Sequence, residues 1–177
     1  MVRRARASIL VAGLLVTSSC AAPPSEARPP GTATVVSIVD GDTVVIDLDG
    51  SHERVRLLGI DTPETVHPTR PVECYGEEST QRITELIPPG TEVRLERDVE
   101  GRDHFGRLLR YLFRADDDLF VNQTMIAEGF AATLHIDPNG AHRVALAQAE
   151  QDARALGAGL WSACGGPDVP LDPLNSQ

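Results

Sequence analysis

Length, composition and charge restrict the classes to which this chain can belong. Its 177 residues are enough for one domain with a hydrophobic core and too few for two domains of ordinary size. The hydrophobic content of 41% is ordinary for a globular protein, and the sequence lacks the repeat period of a solenoid.

The charge after Cys20 is strongly negative, because that part of the chain has 13 arginines and all 26 acidic residues, a formal charge of −13. This sign argues against a broadly basic surface of the kind that usually binds nucleic acid. A solvated acidic surface accounts for most of these charges. A bound cation and a few convergent arginines could still create a locally positive cleft.

The N-terminus has the pattern of an export signal. Three arginines precede an apolar run at residues 9–16, which is too short to span a membrane, and small residues follow it. We predict a signal peptide over residues 1–19. Cys20 resembles the lipid-modified cysteine of bacterial lipoproteins, and residues 20–32 have the composition of a flexible tether. The alternative is an ordinary signal peptide cut nearby. The protein is then either lipid-anchored to the outer face of the membrane or secreted.

Residues 33–163 carry the periodicity of one folded domain, and residues 164–177 are predicted to be a loose tail. The predicted strands are 33–39, 44–48, 55–60, 92–97 and 108–113. The predicted helices are 75–87, 119–128 and a last one ended by Gly157. An apolar stripe marks that last helix, consisting of Leu146, Ala149, Ala153 and Leu156. The acidic run at 116–118 is predicted to be a turn that caps the second helix, and Trp161 to pin the C-terminal end of the domain. These patterns alone indicate an α+β domain with a small sheet.

The second and third strands form a predicted hairpin around Asp49-Gly50. A two-residue loop would pair Asp42 with about residue 57, and a four-residue loop would pair it with about residue 59. Asp61 follows shortly after, and a bend at Thr62-Pro63 could bring both carboxylates together. Two such carboxylates favour a hard divalent cation such as Ca²⁺ between them. The alternative is that these residues are only turns and a strand exit.

Three motifs resemble the thermonuclease family, whose best-known member is staphylococcal nuclease. They are Asp-Gly-Asp-Thr at 40–43, Arg-Leu-Leu-Gly-Ile-Asp-Thr-Pro-Glu at 56–64, and Asp-His-Phe-Gly-Arg at 103–107. The resemblance runs from about Ala33 to Trp161, with the motifs in the family's order. It implies a five-stranded Greek-key barrel of the OB type with three helices.

The resemblance also implies a site that hydrolyses DNA and RNA. Asp42, Asp61 and the Thr62 carbonyl are expected to hold Ca²⁺, and Asp40 to support these ligands without binding the ion. A second group is expected to act on the substrate: Arg56 and Arg107 clasp the phosphate, and Glu64 activates or orients the attacking water. Cleavage at the 5′-oxygen bond would leave 3′-phosphates, and the protein is expected to be a monomer.

The substrate pocket departs from the family pattern. Phe105 stands where members can have a tyrosine, so it is expected to stack on a base without donating a hydroxyl, and residues 130–138 contain no tyrosine. Arg70 is expected to make a modest phosphate contact. The alternatives are a non-catalytic OB module that binds single strands and a lipid-anchored structural protein with a relic site.

The predicted export bears on the state of the cysteines. If Cys20 carries lipid, Cys74 and Cys164 remain as a pair in an oxidising compartment, and a disulfide is expected. The alternative is two unrelated buried thiols.

Overall fold

The computed structural model describes residues 31–65 and 71–171, and its main feature is a closed five-stranded barrel. The barrel strands are β1 Thr32–Ile38, β2 Thr43–Leu48, β3 Ser51–Leu57, β5 Glu92–Glu96 and β6 Leu108–Arg114. They lie in the order β1-β2-β3-β6-β5, and β5 closes the barrel by pairing with β1. Within the barrel, β3 and β6 are parallel and the other pairs are antiparallel. The predicted OB-type α+β fold is confirmed.

Three main helices accompany the barrel, as the sequence predicts: α1 Gly76–Leu86, α2 Val121–Ala127 and α3 Arg143–Leu156. A short fourth helix, α4 Leu160–Ala163, and a two-stranded sheet of β4 Ile60–Asp61 and β7 Ala132–Thr133 are additional. None of the described helices is long and apolar enough to cross a membrane.

The β2–β3 hairpin has the shorter of the two loops considered from the sequence. Thr43 pairs with Arg56 and Leu48 with Ser51, so only Asp49 and Gly50 form the turn, at φ values of 53° and 83°. This register places Asp42 opposite Leu57, whose N–H donates to the Asp42 carbonyl at 2.8 Å. The predicted third strand to residue 60 is wrong, because the chain turns at 58–59 and then starts β4.

The core fills the barrel and the space between the barrel and the helices. Its fully buried members include Val35, Ile46, Val55, Leu57, Ile83, Leu112, Met125, Ile126 and Leu146. The predicted stripe on α3 is wrong at its last position, because Leu156 is 82% exposed at the end of the helix. Beyond Gly157 the chain folds back, and Leu160 becomes fully buried. Trp161, expected to pin this end, is half-buried beneath the guanidinium of Arg154.

Two local predictions differ from the structure. The acidic run at 116–118 is a turn but does not cap α2, because Asp117 binds Arg114 and the N–H of Leu119. The segment after Cys164 is paired rather than loose as far as Leu171. Val169 accepts a hydrogen bond from Cys74 N, and Leu171 N donates to the carbonyl of Val72.

Candidate active site

The open end of the hairpin holds a buried carboxylate. Asp42 is 8% exposed and lies just before β2. Its Oδ1 accepts from the Thr43 hydroxyl at 3.0 Å, and its Oδ2 accepts from the N–H and the hydroxyl of Thr62, both at 3.3 Å. The bend after β4 therefore returns the chain to Asp42, as the sequence predicts.

Arg56 joins Asp42 to the second predicted carboxylate. Its Nη2 lies 3.1 Å from Asp42 Oδ2 and 2.9 Å from Asp61 Oδ1. Its Nη1 donates to the carbonyls of Leu57 and Ile60 at 2.9 and 2.8 Å, which fixes the guanidinium plane. Asp61 belongs to β4, so its backbone is held by pairing with Ala132 of β7.

Asp42 is desolvated and lies near two other carboxylates and one guanidinium group. Burial raises the pKa of Asp42 to about 7, because the loss of water outweighs the opposing charge of Arg56, and the neighbouring Asp40 and Asp61 repel the ionised form further. Asp40 also contacts this residue directly, since its Oδ1 accepts from Asp42 N at 3.0 Å. Asp40 thus supports the backbone of the predicted ligand.

The predicted donor set consists of oxygen atoms, the ligand type that hard divalent ions prefer. Within residues 31–65 and 71–171, no group of three or more His, Cys, Asp or Glu side chains could hold a metal. The predicted set is smaller, with two carboxylates, Asp42 and Asp61, and the Thr62 backbone beside them. Oxygen donors on the buried Asp42 and the partly exposed Asp61 suit Ca²⁺, which commonly completes its shell with water. Thr62 contacts Asp42 through its N–H and its hydroxyl, which both donate to Oδ2.

A cleft of about 610 Å³ places the two predicted phosphate-binding arginines in one space. Its walls come from the β3–β4 segment, the 100–107 loop and the 134–139 loop, and they include Arg56, Ile60, Arg102, Arg107, Leu109, Leu134 and Asn139. Phe105 is 73% exposed, and its ring centroid lies 5.6 Å from Arg107 Cζ. An exposed ring next to this arginine is available for stacking.

Asp103 holds Arg107, a role that the sequence analysis missed. Its Oδ2 accepts from Arg107 Nε at 2.7 Å and its Oδ1 from Arg107 N at 2.9 Å. Burial opposes ionisation of Asp103, but these hydrogen bonds and the charge of Arg107 together lower its pKa. The i,i+4 spacing within the third motif was the available signal.

Glu64 lies beyond the bend at Thr62-Pro63 and is not among the residues that line the cleft. Its Oε1 accepts from Thr65 N at 3.2 Å. Its backbone N–H donates to Oε2 of the buried Glu73 at 2.8 Å, a contact that no local pattern in the sequence indicates. Arg70 and Cys20 lie outside the described residues. Cys74 and Cys164 are joined by a disulfide across 90 positions of sequence.

Comparisons with known proteins show the family of this chain. A family model described as "Staphylococcal nuclease homologue" matches residues 54–163. The thermonuclease of Staphylococcus intermedius is 39% identical over 127 residues, which are 72% of this chain and 74% of that protein. The thermonuclease of Staphylococcus hyicus is 35% identical over 131 residues, 74% of this chain and 76% of that protein. Endonuclease YncB of Bacillus subtilis (strain 168) is 35% identical over 134 residues, 75% of this chain and 62% of that protein. The chain therefore belongs to the family of staphylococcal nuclease homologues.

Proposed function

We propose that this protein is a nuclease that hydrolyses phosphodiester bonds in DNA and RNA. The observation that carries the proposal is one cleft lined by both Arg56 and Arg107, beside the carboxylates of Asp42 and Asp61. Guanidinium groups bind phosphate oxygens in a charge-assisted, bidentate way. The relatives named thermonuclease and endonuclease support the same reaction class.

The proposed cofactor is Ca²⁺, held by Asp42, Asp61 and the Thr62 carbonyl. When bound, such an ion polarises a phosphoryl oxygen and stabilises the charge that develops on it. The proximity of Asp40 and Asp61 to Asp42 supports a cation at this point. Asp40 would hold the ligand loop through its hydrogen bond to Asp42 N.

The chain's own residues would carry the remaining chemistry. Glu64 takes a proton from water, whose oxygen attacks phosphorus, and the bond to the 5′-oxygen breaks. The leaving 5′-oxygen takes up a proton from solvent, and Glu64 releases its proton to solvent. The products are a 3′-phosphate and a 5′-hydroxyl. Arg56 and Arg107 stabilise the extra charge on the phosphoryl oxygens in the transition state. Phe105 stacks on a base, and Arg70 contacts a neighbouring phosphate.

The proposed setting is outside the cytoplasm. Residues 1–19 act as the signal peptide, residues 20–32 as the tether and residues 33–163 as the nuclease domain, followed by a tail at 164–177. The monomer is either anchored by lipid on Cys20 or secreted.

Digestion of single-stranded DNA tests the proposal. We expect the mature protein to cleave the strand with Ca²⁺ and to lose this activity when a chelator is added. The products should carry 3′-phosphates that a 3′-phosphatase can remove. Binding of the strand without cleavage would contradict the proposal and indicate a non-catalytic OB module.

A further inference from the structure

The backbone of Glu64 is clasped on both sides by Glu73. The Glu73 carboxylate accepts from Glu64 N at 2.8 Å, and Glu73 N donates to the Glu64 carbonyl, also at 2.8 Å. Glu73 is only 8% exposed, although a carboxylate is rarely buried without a specific partner. Both backbone hydrogen-bonding groups of the proposed water-activating residue are therefore fixed by one residue.

The start of α1 packs against the same segment. A Cβ atom on Gly76 would lie 2.7 Å from Thr65 Cγ2 and 3.1 Å from the carbonyl oxygens of Pro63 and Glu64. Only glycine allows this approach. The start of α1 and the Glu73 carboxylate thus both contact residues 63–65.

The C-terminal segment contacts Glu73 and its neighbour Cys74. It forms an isolated antiparallel bridge with Pro170, and Cys74 N donates to the Val169 carbonyl at 2.7 Å. The disulfide links Cys74, the next residue in the chain, to Cys164. In space, residues 72–74 therefore lie between residues 63–65 and residues 169–171. The disulfide joins this middle segment to the end of α4.

We propose that Glu73 is a positioning residue for Glu64 and that the Cys74–Cys164 disulfide keeps Glu73 in place, so that full turnover requires the oxidised protein. This inference rests on the proposed nuclease function, in which Glu64 acts on the attacking water. A displacement of about 1 Å in a catalytic group can cost about 100-fold in rate. The clasp fixes the backbone from which the Glu64 side chain projects.

The test is the kcat and KM of purified variants on a single-stranded oligonucleotide with saturating Ca²⁺. Glu73→Asp keeps the charge but withdraws the acceptor oxygen from Glu64 N, so kcat should fall about 10- to 100-fold while KM stays within about twofold. Glu73→Gln keeps an acceptor oxygen at the original reach, so it should recover most of that loss. If Glu73 acted only through its charge, Glu73→Gln would lose more kcat than Glu73→Asp. Asp47→Ala, which removes a carboxylate that accepts from Gly50 N at the far end of the hairpin, is the matched control.

A double-variant cycle separates positioning from general damage. In a Glu64→Gln background, Glu73→Asp should change kcat by no more than about twofold, because its effect passes through the Glu64 carboxylate. An equal loss in both backgrounds would overturn the positioning role. A Cys74→Ala/Cys164→Ala variant, assayed well below its unfolding temperature, should also lose kcat, and unchanged kcat would overturn the role of the disulfide.

Different results would contradict the role of Glu73 and the proposed nuclease function. Cleavage by the wild-type protein with undiminished kcat in Glu73→Asp would overturn the role of Glu73 alone. Absence of any cleavage by the wild-type protein would overturn the nuclease itself and this role with it. Amide hydrogen exchange gives a second readout, since loss of the clasp should speed exchange at Glu64 N.

Discussion

Thr62 donates two hydrogen bonds to one carboxylate oxygen of Asp42, from its backbone N–H and from its hydroxyl, although the two residues are 20 positions apart. This contact closes the open end of the β2–β3 hairpin. It also orients Asp42 Oδ2, the oxygen that lies 3.1 Å from Arg56 Nη2. The proposed metal ligands and the phosphate-binding arginine therefore share one hydrogen-bonded cluster.

A methyl group on Gly41 should disturb that cluster. The added Cβ would lie 2.7 to 2.8 Å from three side-chain atoms of Thr62, closer than real Cβ contacts allow. We expect Gly41→Ala to lower the free energy of unfolding by about 1–3 kcal/mol through overpacking and to weaken Ca²⁺ binding, measured by calorimetry. Gly50→Ala is the control, since its Cβ would meet no atom within 4 Å and only the backbone φ of 83° is strained. Equal Ca²⁺ affinity in Gly41→Ala and wild type would contradict this.

Removal of the Asp103 charge should loosen Arg107. We expect Asp103→Asn to lower kcat/KM about tenfold, which corresponds to about 1.4 kcal/mol, because a charge-assisted hydrogen bond to Arg107 Nε is replaced by a neutral one. Asp117→Asn, which breaks the ion pair with Arg114 away from the cleft, is the matched control. A similar loss in both variants would show that the effect is not local.

The same pair should set an acid limit on stability. Because the pKa of Asp103 is lowered in the folded protein, its contribution is fully present above the ordinary aspartate pKa of about 4. It is lost progressively as the pH falls below that value and through the depressed folded pKa. The stability advantage of wild type over Asp103→Asn should therefore be constant above about pH 4 and shrink below it, measured by denaturant titration at several pH values. A difference that does not change with pH would refute the assignment.

The disulfide should contribute strongly to stability. It spans 90 positions, and the chain-entropy model assigns a loop of that size about 4.6 kcal/mol. We expect Cys74→Ala/Cys164→Ala to lose roughly this much free energy of unfolding in a denaturant titration. Mass spectrometry of natively exported protein should find no free thiol at either position, and two free thiols would overturn the pairing.

Weak dependence on salt is expected from the acidic body of the protein. Few phosphates can be engaged beyond those at Arg56, Arg107 and Arg70, so the log–log slope of binding against salt should have a magnitude of about 3 or less. Glu64→Gln binding a short oligonucleotide with Ca²⁺ saturating is the suitable measurement. A slope near 6 would reveal an extensive basic groove.

Local sequence patterns predicted the fold where the contacts are short-range. The Asp49-Gly50 turn and strand alternation fixed the hairpin, and Gly157 ended α3 as expected because its φ is 63°. The β4–β7 pairing joins Ile60 to Thr133, and no local pattern indicates a partner so distant in sequence. For the same reason the exposure of Leu156 and the docking of residues 165–171 were not predicted.

In the candidate site too, contacts within one local segment could be predicted and long-range contacts could not. Asp42, Arg56 and Asp61 could be predicted to lie close together because they belong to one hairpin and the segment after it. Their roles, however, were predicted from the family resemblance. Glu73 escaped detection because its contact with Glu64 depends on the path of the chain between them and on the C-terminal segment behind it.

Arg107 lines the same cleft as Arg56, and we expect it to stabilise the transition state of phosphodiester cleavage. The most direct measurement is the single-turnover cleavage rate of Arg107→Ala with Ca²⁺ saturating, alongside Arg94→Ala, an arginine paired with Asp118 and absent from the cleft lining. We predict a loss of at least about 100-fold for Arg107→Ala, near 2.7 kcal/mol, and little change for Arg94→Ala. Undiminished cleavage by Arg107→Ala would contradict the account.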